Sequence, residues 1–291
     1  MSEQATTTEA PAAAEASAAG ETPAGPEGLG PTEQNEVIYR VDGRVAWITI
    51  NRPHRRNAMT RNTVRFLTEA FVMAGEDPDI WAVVITGTGD KAFCAGGDMK
   101  EMDEIARSGR QIHTPMTGLY RALLEVMLET YKPVIAAING HAIAGGCEIV
   151  LASDIRIAVE GATIGLTEAR RGMGANFGSV VLPRLIPRAL AMDLLYTART
   201  IPVEEARDLG LINRVVPRES FQAEVRAYLD QILANSPVSL RRYKEMATKS
   251  WGLPVAAALR LNVGPNPYTS EDRVEGVRAF LEKRAPQWKN R

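Results

Sequence analysis

The sequence predicts an α/β fold with a mostly helical C-terminal region, and three observations carry that reading. Short apolar runs, among them Ala82–Thr86 and Pro133–Ile138, have the length and β-branched content of buried strands. Glycine-rich turns and helical patterns follow those runs, the strand, turn, helix order of a sheet wound by crossovers. From Val180 onward the strand signals run out and apolar residues recur at helical spacing.

Residues 1–35 are rich in Ala, Glu, Thr, Pro and Gly and contain no Lys or Arg. That composition predicts a disordered tail, without the charged start and apolar core of a secretory signal or the Arg-rich character of a mitochondrial transit peptide. The structured body begins with two strands, Glu36–Val41 and Val45–Asn51, joined at Asp42-Gly43, a hairpin signal. Thr63–Ala74 places Val64, Leu67, Phe71 and Val72 at helical spacing and stops before Asp77-Pro78; the strand Ala82–Thr86 follows. Met99–Thr117 has no clear pattern, and a helix is expected near Gly118–Glu129. Pro133–Ile138 reads as a strand, Gly146–Ala152 as a helix and Ile155–Ala158 as a strand. Helices are then expected at Leu190–Ala198, Val203–Leu209, Ser220–Ala234, Val238–Ser250 and Thr269–Lys283. The expected organisation is a tail (1–35), an α/β core (36–200) and a helical C-terminal region (201–291).

Composition narrows the function. The chain of 291 residues is 45% hydrophobic, enough to bury a large core. Its net charge of −1 conceals an uneven distribution: all seven acids up to Glu36 precede the first basic residue, so residues 40–291 carry 34 basic against 28 acidic residues. A mildly basic body suits a phosphate-bearing ligand, although ordinary surface charge is the readier explanation. There is no basic cluster or aromatic platform to suggest nucleic acid, and no stretch long and apolar enough to span a bilayer. Two cysteines, Cys94 and Cys147, make no disulfide framework, so a cytoplasmic protein is expected. With His54, His113 and His141 scattered, no metal site is expected.

The chemistry concentrates in three places: KAFCAGGDMK (residues 91–100), NGHAIAGGCE (139–148) and GLTE (165–168). A thioester carbonyl that gains negative charge needs two backbone N–H groups aimed at its oxygen, and glycine permits that approach. Gly97 and Gly145 are the candidate donors. Glu148 lies one helical turn past Gly145, and Glu168 is the second candidate carboxylate. Taken alone, the glycines also fit tight turns without a ligand, and the glutamates fit solvated or helix-capping acids.

In their order and spacing these motifs resemble the crotonase, or enoyl-CoA hydratase, superfamily from about Val37 to the last residue. NRPHRRNA (residues 51–58) resembles that family's first acyl-CoA loop, residues 93–98 and 139–148 its two oxyanion turns, and residues 271–284 its C-terminal helix. The resemblance implies a ββα-superhelix core and a C-terminal trimerisation region. It implies hydration of a 2-enoyl-CoA to a 3-hydroxyacyl-CoA, or the reverse, in a homotrimer or a dimer of trimers. Gly97 and Gly145 would hold the thioester oxygen while Glu148 and Glu168 handle the protons. His54, Arg55, Ala95, Gly97, Asp98, Met99, Lys100, Gly145 and Lys283 would meet the CoA ester, with no cofactor beyond the CoA of the substrate. Met99, Met102, Phe177 and Trp251 are candidates for the acyl pocket or simply for packing. Retention of both glutamates favours hydration over an isomerase, a hydrolase or a weakly active CoA-binding or RNA-associated scaffold. The run GMGANFGS (172–179) departs from the Gly-Ile-Ile-Pro-Gly-like stretch of many hydratases and makes the pose of Glu168 an open point.

Overall fold

The computed structural model describes residues 35–110 and 121–291. The expected tail, except for its last residue, and the expected helix start at Gly118 lie outside the described residues. β1 (Val37–Asp42) and β2 (Val45–Ile50) form the expected hairpin, in register from Val37 opposite Ile50 to Asp42 opposite Val45. Gly43 takes its turn at φ +59°, a region open to glycine.

α1 (Arg61–Glu76) starts at a capping box in which the Thr60 hydroxyl accepts the Thr63 N–H and Thr63 accepts the Thr60 N–H, both at 3.0 Å. Its buried face is Leu67, Ala70, Phe71 and Ala74, one stripe of a 3.6-residue period. β3 (Ala82–Gly87) is buried throughout and lies parallel to β2. Then come β4 (Ala92–Cys94), α2 (Met99–Arg107) and α3 (Leu123–Glu129). β5 (Val134–Ile138), again fully buried, is followed by β6 (His141–Ile143) and α4 (Gly145–Ala152). β7 (Ile155–Val159) and β8 (Thr163–Gly165) lead through a 3-10 turn at Glu168–Arg171 into α5 (Gly178–Leu185). The strands sort into two sheets, and the sorting generates the site. β3, β5 and β7 join the main sheet, whereas β4, β6 and β8 lie parallel to one another in a smaller one. Three successive strand-strand-helix units result: β3-β4-α2, β5-β6-α4 and β7-β8-α5. Gly97, Gly145 and Glu168 occupy the same point in each, where the second strand gives way to helical turns at the carboxyl edge of the small sheet.

The second half corrects one expectation. After α6 (Arg188–Thr197), strands continue: β9 (Ile201–Pro202) pairs antiparallel with β8. Past α7 (Val203–Asp208), β10 (Arg214–Val216) adds in parallel to β7, closing the order β1-β2-β3-β5-β7-β10. Two- and three-residue strands are too short to leave a periodic trace in sequence. α8 (Phe221–Leu233) sends Phe221, Val225 and Leu229 into the same core as the sheet. α9 (Pro237–Ser250), the one-turn α10 (Val255–Ala258) and α11 (Glu271–Leu281) complete the chain. α11 stops two residues short of Lys283, which stands beyond the helix at φ +55°. The buried carboxylate of Asp272 ties the chain end back, accepting from Ser236 Oγ (2.8 Å) and from the N–H groups of Lys289 (2.7 Å) and Asn290 (3.2 Å). Among the described residues no helix is long and apolar enough to cross a membrane.

Candidate active site

The two glycine turns meet. Gly96 sits at φ +91°, and a Cβ there would fall 2.9 Å from Ala144 Cβ and 3.0 Å from the Ile143 carbonyl oxygen, so only glycine fits between the turns. Residues on either side of the next peptide are pinned to one partner: Met59 N–H donates to Gly96 O, and Asp98 N–H donates to Met59 O, each at 2.8 Å. In a trans peptide the carbonyl and the following N–H point in opposite directions. With the Gly96 carbonyl bound to Met59, the Gly97 N–H points away from that partner and finds none among the described residues.

Gly145 reaches the same state by another route. Ala144 is held at φ +52°, a strained value for a residue with a side chain, and its carbonyl accepts the Glu148 N–H at 3.0 Å. That bond directs the Gly145 N–H outward from the start of α4, at the positive end of the helix dipole. Gly146 is packed for the same purpose: a Cβ there would lie 2.3 Å from the Cys94 carbonyl oxygen. The outcome is two unpartnered N–H groups, among the described residues, on abutting turns.

The carboxylates differ in support. Glu148, in the first turn of α4, has Oε1 held by the N–H groups of Phe177 (3.1 Å) and Gly178 (2.9 Å). α5 has no capping side chain of its own, so Glu148 caps it from α4. Burial raises the Glu148 carboxyl, and the two N–H bonds draw it back part of the way. Glu168 is 7% exposed, and its Oε2 is buried without a hydrogen-bond partner. Burial first, and the neighbouring charge of Glu148 second among the raising effects, push it up to about 7. Glu168 therefore feels the charge of Glu148, whereas Glu148 is governed by its burial and its two N–H bonds. The departing run 172–179 acquires a role here, since its end supplies both N–H groups that fix Glu148. Sequence reasoning singled out the run but not this role; a helix start lacking a capping side chain was the available signal.

Around them, the loop 51–59 lies along the first turn through Ala95 N–H to Arg56 O (3.1 Å) and the Met59 bonds. His54 and Arg55 form an exposed 3-10 turn on that loop, and Met99 and Lys100 are exposed at the start of α2. Asp98 faces inward instead. It caps α2 through the N–H groups of Lys100 (3.0 Å) and Glu101 (3.4 Å) and pairs with the buried Arg52 at 2.9 Å. Burial acts to raise the Asp98 carboxyl, but the Arg52 hydrogen bond and the two N–H bonds outweigh it and hold it below its ordinary value. Arg52 and Met59 were missed by sequence reasoning. Met102 places its methyl 2.4 Å from where a Cβ on Gly97 would stand, and Met59 places its own 3.1 Å from that point on Gly145. Phe177 is buried, whereas Trp251 is exposed in the C-terminal region. Among the described residues, no hydrogen bond links 271–291 to residues 51–59 or 94–100. Burial pushes the Cys94 thiol up to about 12 and raises that of Cys147 as well, so neither suits a nucleophile at neutral pH. No cluster of three metal-binding side chains occurs among the described residues.

Comparison with known proteins specifies the class to which this α/β fold belongs. The enoyl-CoA hydratase/isomerase family model matches residues 40–291. A short-chain-enoyl-CoA hydratase of Clostridium acetobutylicum is 35% identical over 264 residues, covering 89% of this chain and 100% of the relative. An (E)-benzylidenesuccinyl-CoA hydratase of Thauera aromatica is 36% identical, covering 87% of this chain and 98% of the relative. The crystal structure of an enoyl-CoA hydratase from Mycobacterium tuberculosis superposes with a TM-score of 0.78 at 33% identity, covering 88% of this chain and 99% of the other. The chain belongs to the enoyl-CoA hydratase/isomerase family.

Proposed function

We propose that this protein is an enoyl-CoA hydratase, a hydro-lyase that adds water across the 2,3 double bond of a 2-enoyl-CoA and catalyses the reverse dehydration. The observation that carries the reading is the unlike pair of carboxylates beside two unpartnered N–H groups. Gly97 and Gly145 N–H would bind the thioester oxygen and stabilise the enolate that forms when water attacks Cβ. Glu148, oriented by Phe177 and Gly178 through one oxygen, keeps its other oxygen for the water and removes its proton. Glu168, raised to about 7, holds the proton that Cα receives. The proton count closes, because Glu148 gains one as Glu168 loses one.

The exposed His54, Arg55 and Lys100 beside the first turn would face the phosphates of CoA, with Ala95, Asp98 and Met99 shaping that rim. No cofactor beyond that CoA enters the reaction, and the reading includes a cytoplasmic enzyme. Assembly as a trimer or dimer of trimers is part of it, supported by the apolar surface of residues 251–281; Lys283 would then serve a neighbouring copy's CoA. The relatives named above act on short-chain and benzylidenesuccinyl thioesters, which makes the acyl pocket the variable element. In the test, purified protein removes the conjugated-enoyl absorbance of crotonyl-CoA or of a longer or aromatic ester. Unchanged absorbance across such a panel contradicts the assignment.

A further inference from the structure

Resting on the oxyanion reading above, we infer that Arg52 is a positioning residue for the Gly97 donor, acting through two consecutive trans peptides. The Arg52 side chain is only 11% exposed, although it belongs to the otherwise exposed turn that carries His54 and Arg55. Its Nη1 donates both to the Ala58 carbonyl and to Asp98 Oδ2, and its Nε lies 3.4 Å from Glu36 Oε1. Glu36 in turn accepts from the hydroxyls of Thr60 (2.6 Å) and Thr63 (2.5 Å) at the start of α1. The guanidinium is therefore fixed at three points.

The consequence travels along the backbone. The Ala58 carbonyl and the Met59 N–H belong to one planar peptide and point in opposite directions. Holding the first on Arg52 aims the second at Gly96 O, which it meets at 2.8 Å. The Gly96 carbonyl and the Gly97 N–H belong to the next such plane, so that bond aims the Gly97 N–H into the cleft. Orientation passes from a buried cation to the donor through two rigid units and no side chain. Polarisation passes the same way: a positive charge on the Ala58 carbonyl makes the Met59 N–H a stronger donor, which strengthens the Gly97 N–H in turn. Asp98 closes the loop, since its N–H is bound to Met59 and its carboxylate to Arg52.

The test reads the bond to the thioester directly. Butyryl-CoA labelled with carbon-13 at its carbonyl cannot be hydrated, and isotope-edited infrared spectroscopy reports how far the bound enzyme lowers its C=O stretch. In Arg52→Gln the stretch should return at least halfway to its free value. Crotonyl-CoA kcat should fall at least tenfold, with KM changed less than about threefold. Arg52→Lys, which keeps the charge but reaches fewer acceptors, should give an intermediate stretch and partial recovery of kcat, and it decides the matter if the Gln variant does not fold. A stretch identical to wild type in every folded variant overturns the role of Arg52. A wild-type enzyme that binds butyryl-CoA without lowering the stretch overturns the oxyanion reading itself.

Discussion

The sheet core and the C-terminal helices of this chain solve the burial problem differently. In the core, β3 and β5 are buried at every position, and each strand finds partners within the chain. In α10 and α11 and the segments beside them, Val255, Leu259, Tyr268, Phe280 and Leu281 are each more than 70% exposed. Large exposed apolar patches are a common mark of interaction sites. Under the reading proposed above, the core holds the chemistry within one chain, while the exposed C-terminal end meets a second copy of the chain.

The sharpest way to separate the two is to change chemistry without assembly. Glu148→Gln and Glu168→Gln should each lower turnover by about 10³-fold, within the range for loss of a general acid or base, while mass by light scattering and CoA-ester binding stay as in wild type. Near-native turnover in either variant removes that residue from the mechanism. The converse change is Phe280→Asp combined with Leu281→Asp. Light scattering should then report the mass of a single chain in place of three or six, and an unchanged mass would free this face from the interface.

A smaller effect comes from pH. Because the Glu168 carboxyl is raised to about 7, the site loses the proton destined for Cα above that pH. Hydration kcat/KM should fall roughly tenfold per unit on that limb, and dehydration should fall with it, since the reaction consumes no net proton. Stability follows the same group. Its folded value lies above the ordinary 4.5, so the folded state binds more protons between pH 4.5 and 7 and loses stability as pH rises across that window. Glu168→Gln should flatten this decline in a melting series; a parallel decline in wild type and variant would show that Glu168 is not its source.

How much the sequence revealed also divides along these lines. The long strands and helices were legible because Ala82–Thr86 and the stripe of Leu67 and Phe71 repeat a burial pattern. The glycine turns were legible because close backbone approach demands glycine, and Gly96 and Gly146 have no space for a Cβ. Neither β9 nor β10 was, because two or three residues carry no period. The holding of Glu148 by Phe177 and Gly178 was hidden because backbone N–H groups leave no mark on residue identity. Arg52 was hidden for another reason: among neighbouring arginines at 55 and 56, nothing in composition tells a buried guanidinium from an exposed one.

The central claim, water addition by this pair of carboxylates, is tested most directly by running crotonyl-CoA hydration in D2O and locating the label by mass and NMR. The account predicts 3-hydroxybutyryl-CoA with one nonexchangeable deuterium at C2 and none at C4. Recovery of unhydrated thioester alone, or deuterium at C4 with a migrated double bond, would contradict it.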